Sequence, residues 1–309
     1  MKYSIVFPGQ GSQSIGMLSD LSSNFSIVSE IFQEASDALG VDLWKIAQED
    51  QEALNLTENT QPIMLASGYA TYKVLSNEVK LSPVCMAGHS LGEYTALVAS
   101  KSLNFFDAVK LVRRRAELMQ SAVPSGSGSM AAVLGLDDAK VIEICAQSSS
   151  YGVVEAVNFN SPGQVVIAGE KEAVIKACDE MKEAGAKRAL VLPVSVPSHC
   201  SLMTDAAEEF KTSVDTVNFQ MGNARVIHNV DADYARDVEE IKSKLVEQLH
   251  KPVLWTSSVE KMKKTGVERL IEVGPGKVLA GLTRRIDKSL SGSAIIDVAT
   301  LKSTIEEIS

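Results

Sequence analysis

Along this chain, short apolar runs without helical spacing alternate with longer segments in which apolar residues recur three or four positions apart. That alternation predicts strands and helices in turn. Residues 3–7 read as a first strand, stopped by Pro8. Helices are expected over 24–39, 42–49 and 61–75, the last presenting Ile63, Leu65, Ala66, Tyr69, Tyr72 and Val74 over a wide face. A buried strand begins at Val84, and a helix follows from Leu91. Asp107 opens another helix, with Val109, Leu111, Val112, Leu118 and Met119 turned inward. The small-residue stretch Pro124-Ser-Gly-Ser-Gly-Ser129 then marks a flexible link. Beyond it the pattern reads strand 130–136, helix 138–148, strands 153–159 and 164–168 joined through Asn160-Ser161-Pro162-Gly163, helix 170–183 and strand 188–194. This is the β-α-β-β-α-β order of a split βαβ, or ferredoxin-like, unit. A helix through Phe210, a strand over 225–229, helices over 237–249 and 255–265, a strand over 268–273 and a helix over 279–286 complete the reading.

The junction at Val84–Ser100 carries the first chemistry. Gly88-His89-Ser90-Leu91-Gly92 is a G-x-S-x-G pattern lying where a strand passes into a helix. Small residues on both sides of Ser90 allow a sharp turn that pushes its hydroxyl out at the end of the strand. The following helix N-terminus favours negative charge developing there. A plain βα turn would use the same residues; the placement favours a nucleophile. Arg113, Arg114 and Arg115 follow one another on a helix, where consecutive side chains project about 100° apart. One of the three must therefore leave the solvated face. Arg113 and Arg114 are assigned to solvent or structure, and Arg115 is left open between those roles and a cleft.

A serine nucleophile needs a base, and the chain offers four histidines. His89 adjoins Ser90 but projects differently from it. His228 sits in an apolar strand and His250 at a helix end, both compatible with structural roles. His199 lies in the loop Val196-Pro197-Ser198-His199 ahead of a helix, where scaffolds present reactive groups, and its position favours it as the base. Two phosphate-loop readings fall away. The loop Pro8-Gly9-Gln10-Gly11-Ser12-Gln13 lacks the G-x-G-x-x-G spacing and an acidic ribose partner, and Gly276-Lys277 lacks the Walker spacing.

Composition narrows the class. A chain of 309 residues suits one large domain, or one carrying a smaller one. The net charge of −9 argues against nonspecific nucleic-acid binding. No apolar run approaches the ~20 residues of a membrane span, and the N-terminus lacks a signal-peptide pattern. The four cysteines, Cys85, Cys145, Cys178 and Cys200, show no metal-ligand or C-x-x-C spacing, so a reduced cytoplasmic protein is expected. Only Cys200, beside His199, raises the question of reactivity, and packing is its default reading.

Five ordered motifs then point to one family. They are Phe7-Pro8-Gly9-Gln10-Gly11-Ser12-Gln13, Gly88-His89-Ser90-Leu91-Gly92-Glu93, Asn158-Phe159-Asn160-Ser161-Pro162-Gly163-Gln164, Val196-Pro197-Ser198-His199 and Glu272-Val273-Gly274-Pro275-Gly276. Spread over nearly the whole chain, they resemble the malonyl-CoA:acyl carrier protein transacylases of bacterial fatty-acid synthesis. The resemblance implies an α/β fold in which an α/β-hydrolase-like domain, 1–124 with 197–309, carries a ferredoxin-like insertion at 125–196. It implies Ser90 as acyl-accepting nucleophile, His199 as general base, and the backbone N–H groups of Gln10 and Leu91 as oxyanion hole. Arg115 would grip the malonyl carboxylate, and the backbone carbonyl of Gln248 would orient His199. The implied partners are malonyl-CoA and acyl carrier protein, with no metal, no bound cofactor, no nucleic acid and no membrane, for a cytoplasmic monomer. An acidic carrier would need a local basic surface, for which Lys182, Lys187, Arg188, Lys277, Arg284 and Arg285 are candidates. A serine hydrolase and a non-catalytic carrier-binding protein are the rival readings. Ser198, the small residue before His199, leaves malonyl against methylmalonyl preference open, since one methyl is worth only ~1–3 kcal/mol.

Overall fold

Two separate sheets organise the chain in the computed structural model, which describes residues 1–194 and 196–309. The first contains β1 (Tyr3–Phe7), β2 (Met86–Gly88), β7 (Val226–Ile227), β8 (Arg269–Val273) and β9 (Ser291–Ile295), in the order β7-β2-β1-β8-β9. Every pairing in it is parallel. The second contains β3 (Gly128–Leu134), β4 (Val154–Ser161), β5 (Gln164–Glu170) and β6 (Arg188–Val191), in the order β4-β5-β3-β6, all antiparallel. The fold is mixed α/β.

Parallel strands end on the same edge of a sheet, and in this class ligands bind beyond their carboxyl ends. The register makes that edge specific. Phe7 lies opposite Gly88, and Ala87 opposite Ile227. The loops leaving β1, β2 and β7, which hold Gln10, Ser90 and Asn229, therefore emerge side by side. All five residues of β1 are buried, as a strand with helices on both faces requires.

The elements differ from the sequence reading where local chemistry decides. The helix expected over 61–75 spans Thr57–Glu78 and carries Pro62 inside it. Proline has no N–H for the carbonyl four residues earlier, and here Glu58 O accepts instead from Arg113 Nη1 at 3.1 Å. A helix that reads as starting at its proline thus starts a full turn before it. The strand expected over 225–229 pairs only at Val226–Ile227. The N–H of His228 turns to Asp233 O, and that of Asn229 to the Glu93 carboxylate. Strand β3 begins inside the expected flexible link, at Gly128, which lies opposite Glu170. Strand β6 stops at Val191, two residues before Pro193, instead of running to 194. Helices at Ser19–Asn24, Gln51–Asn55 and Val298–Ile308, and strand β9, had no counterpart in the sequence reading.

Strand β4 is tied to the segment that opens the Trp255–Lys264 helix. Phe159 N donates to Val253 O at 3.0 Å, Val253 N donates to Val157 O at 2.8 Å, and Thr256 Oγ1 donates to Phe159 O at 3.0 Å. The antiparallel sheet has its own core of Ala131, Val133, Val165 and Ile167 against Ile144, Val174 and Met181 of the helices Asp138–Ser148 and Lys171–Glu183.

Candidate active site

Close approach, more than flexibility, explains the glycines of the elbow. A Cβ on Gly88 would lie 1.9 Å from the carbonyl of Gly92, and one on Gly92 would lie 2.1 Å from Phe7 O. The turn between them holds Ser90 at φ 51°, a left-handed conformation that costs a non-glycine residue on the order of 1–2 kcal/mol. Three bonds hold the strained residue. Ser90 N donates to Asn229 Oδ1 at 2.7 Å, Asn229 Nδ2 donates to Gly88 O at 2.7 Å, and Gln248 Nε2 donates to Ser90 O at 3.0 Å.

The structure brings Ser90, His199, Arg115 and Gln248 together from four distant parts of the sequence. His199 is buried, with φ 68°. Its Nδ1–H donates to Gln248 O at 2.6 Å; a carbonyl can only accept, so this bond sets the tautomer. Nε2 is left as the acceptor, and Ser90 Oγ donates to it at 2.8 Å. A backbone carbonyl thus stands where a triad acid would orient the base.

Arg115 is the arginine that leaves the solvated face, at 1% exposure. Arg113 instead pairs with Glu58 and Glu117, and Arg114 with Glu117 and Glu209. Arg115 Nη1 donates to Gln61 Oε1 at 2.9 Å, and Nη2 donates to Gln248 Oε1 at 2.9 Å and to Ser90 Oγ at 3.3 Å. Its Nε–H is buried with no acceptor. Among the described residues, no carboxylate pairs with this guanidinium. A buried arginine whose hydrogen-bond partners are two amides and a hydroxyl, with its Nε–H and a second Nη1–H left over, can take an anion from elsewhere.

The candidate oxyanion donors lie on either side. Leu91 is buried at the N-terminus of the Gly92–Ala99 helix. Gln10 is exposed, and follows a Gly9 packed so closely on the elbow that a Cβ there would lie 2.5 Å from His89 O. Among the described residues, neither N–H meets a protein acceptor. His89 turns away from Ser90, its Nε2 2.8 Å from Asn160 Oδ1. That contact ties the elbow to β4. His250 stays half-buried at a helix end, away from Ser90. Cys200 donates its S–H to Pro197 O at 3.1 Å, and burial pushes its thiol up to about 12, so it packs and does not react.

A match to the acyl transferase domain model covers residues 4–303. The chain is 50% identical over 307 residues to the malonyl CoA-acyl carrier protein transacylase of Salmonella typhimurium, covering 99% of both. It is 52% identical over 307 residues to that of Haemophilus influenzae, covering 99% of this chain and 98% of the relative. The chain belongs to the malonyl CoA-acyl carrier protein transacylase family. A crystal structure of the acyl carrier protein S-malonyltransferase of Vibrio cholerae superposes with a TM-score of 0.96 at 51% identity, covering 98% of this chain and all of the other. A malonyl-transacylase solved in complex with a type II PKS acyl-carrier protein superposes with a TM-score of 0.98 at 48% identity, covering 99% and 100%.

Three residues and one side chain that support this site had no role in the sequence reading. Glu93, Asn229, Gln61 and the side chain of Gln248 bond the elbow and Arg115 from behind. Glu93 and Asn160 stood inside quoted motifs, so their positions were visible. Their partners, 136 and 71 residues away, were not.

Electrostatics keep His199 neutral, the state in which Nε2 can accept a proton. Burial first, and the charge of Arg115 second, hold its imidazole down from 6.5 to about 3. A lowered histidine is neutral above that value and is protonated only as pH falls through it. The expected result is a kcat/KM for acyl transfer without an acid limb from His199 between about pH 5 and about pH 8. A limb near 6.5 in the free enzyme would contradict this setting.

Proposed function

We propose that this enzyme moves a malonyl group from malonyl-CoA to the phosphopantetheine thiol of an acyl carrier protein, through a malonyl ester on Ser90, as a step supplying fatty-acid chain elongation. The observation that carries the reading is the buried Arg115, without a carboxylate partner among the described residues, 3.3 Å from the hydroxyl that His199 is placed to deprotonate. A malonyl thioester has its free carboxylate one methylene from the carbonyl under attack, so an acyl group on Ser90 puts that carboxylate beside the guanidinium. The planar fork of arginine suits a carboxylate bidentately and keeps its charge when buried.

In the first half-reaction His199 Nε2 takes the Ser90 proton as Oγ bonds to the thioester carbon. The oxyanion rests on the N–H groups of Gln10 and Leu91, each worth ~3 kcal/mol in such sites. The carbon–sulfur bond breaks, and coenzyme A leaves as thiol with the proton from His199. In the second, the carrier thiol gives its proton to His199 Nε2, its sulfur bonds to the ester carbon, and Ser90 Oγ departs and is reprotonated. The scheme assigns every proton to His199 and every charge to backbone donors or Arg115, so it has no step for a resident cofactor or metal.

The order β4-β5-β3-β6 supports a ferredoxin-like domain at 125–196, and the serine elbow that follows the parallel strand β2 supports an α/β-hydrolase-like domain, 1–124 with 197–309, around it. An acidic carrier would dock on basic side chains around the β4–β5 turn. Gly135 N donates to Gly163 O and Lys187 N to Leu134 O, both at 2.8 Å, and Arg285 Nη1 donates to Gln164 Oε1 at 3.2 Å. Lys187, Arg188 and Arg285 therefore converge there, with exposed Arg284 and Lys277 on or beside the Val278–Ile286 helix. Lys182 is the weakest candidate, since Asp179 already pairs with it. The four buried free cysteines suit a reducing cytoplasm, and a site drawn from one chain suits a monomer. No described helix is long and apolar enough to cross a membrane.

Intact-mass measurement after mixing with malonyl-CoA tests the reading. One malonyl adduct on the peptide containing Ser90, discharged by holo-carrier protein, is expected. An adduct that water removes as fast as the carrier would indicate a hydrolase.

A further inference from the structure

The Glu93 carboxylate is fully buried, and no lysine or arginine pairs with it among the described residues. Its two oxygens accept three bonds: from His228 Nδ1 at 2.7 Å, from Asn229 N at 2.9 Å and from Gln248 Nε2 at 2.8 Å. The last of these matters for specificity. An amide has one accepting and one donating end, and a carboxylate can hold only the donating end. With Nε2 committed to Glu93 and to Ser90 O, Gln248 presents Oε1 to Arg115 Nη2 at 2.9 Å.

We infer that Glu93 is a positioning residue for carboxylate recognition, holding the Gln248 amide so that its oxygen fixes Arg115 beside Ser90. Glu93 lies on the first turn of the elbow helix and touches neither substrate nor guanidinium; it acts through one amide. The inference rests on the reading of Arg115 as the malonyl carboxylate site. Were the amide to turn over, two donors would face each other and Arg115 would leave its place. The base would be spared, because His199 is held by the backbone carbonyl of Gln248, which no side-chain change removes.

This separates selectivity from catalysis. Transfer from malonyl-CoA and from acetyl-CoA to holo-carrier protein is measured for Glu93→Gln, Gln248→Met and the double variant, with a melting curve for each. Glu93→Gln is expected to lower the malonyl-to-acetyl ratio of kcat/KM by about tenfold, as loss of a charge-assisted contact does. Gln248→Met should lower the ratio similarly, and the double variant should fall no further, because both act through the same amide. If Glu93→Gln does not fold, Glu93→Asp serves, keeping the charge but drawing it back by one methylene. A folded Glu93 variant that loses malonyl and acetyl transfer equally, or a Gln248→Met variant with the original ratio, overturns the inference. Arg115→Ala tells this failure from that of the underlying reading. If Arg115→Ala also keeps the ratio, the carboxylate site is elsewhere; if it alone loses the ratio, only the role of Glu93 is refuted.

Discussion

Replacing Ser90 with alanine should lower malonyl transfer by about 10⁴-fold or more and abolish the acyl adduct. The rate falls this far because Ser90 Oγ is the atom on which both half-reactions turn. The variant loses one hydroxyl, and with it only the bonds to His199 Nε2 and from Arg115 Nη2. The backbone bonds from Ser90 N to Asn229 and from Gln248 to Ser90 O remain, so the elbow should keep its shape. A melting temperature close to that of the parent, with no transfer, is the expected pair of results. An alanine variant that still carries malonate on a different residue would remove Ser90 from the mechanism.

The second large effect belongs to Arg115. Arg115→Ala should lower malonyl transfer by about 10³-fold, the scale of losing two charge-assisted hydrogen bonds to a buried carboxylate. Acetyl transfer should change by less than about tenfold, because acetyl offers nothing for the guanidinium to hold. The variant leaves Gln61 Oε1 and Gln248 Oε1 without their donor, so some stability should be lost as well. Comparing the two substrates on the same folded sample removes that common loss. Equal falls for malonyl and acetyl would make Arg115 a structural residue. Arg115→Lys should restore little, since an ammonium cannot reach the two amides and a carboxylate as a fork does.

Local signals were strong where backbone geometry demanded particular residues. The elbow was legible because only glycine fits at 88 and 92 when those positions press on Gly92 and Phe7 carbonyls. The arginine run was legible as a puzzle: one of three had to turn inward, and spacing alone could not name which. The order of elements around 128–191 was legible because strand and helix periods differ plainly there. Strand β9 was not, since Ser-Gly-Ser-Ala-Ile has no apolar run and occupies a half-exposed sheet edge. The start of the Thr57–Glu78 helix was hidden for a different reason. Its proline leaves the Glu58 carbonyl free, and Arg113, from another helix, occupies it.

By itself, then, the sequence determined which residue types could do chemistry, and where the chain must turn sharply. Ser90 sits at a junction that any acyl-serine enzyme could use, and His199 and Arg115 stood out as candidates whose meeting depended on family resemblance. Only the tertiary structure decided that Ser90, Arg115, His199 and Gln248 share one hydrogen-bonded cluster, the last three lying 25, 109 and 158 residues from the serine. It also decided that Glu93 stands behind them, bonded to residues 135 to 155 positions away. The physical reason is that hydrogen bonds between side chains obey distance in space and leave no periodic trace along the chain. A turn or a helix face repeats its pattern locally, whereas a buried polar network is written only in the packing that closes it.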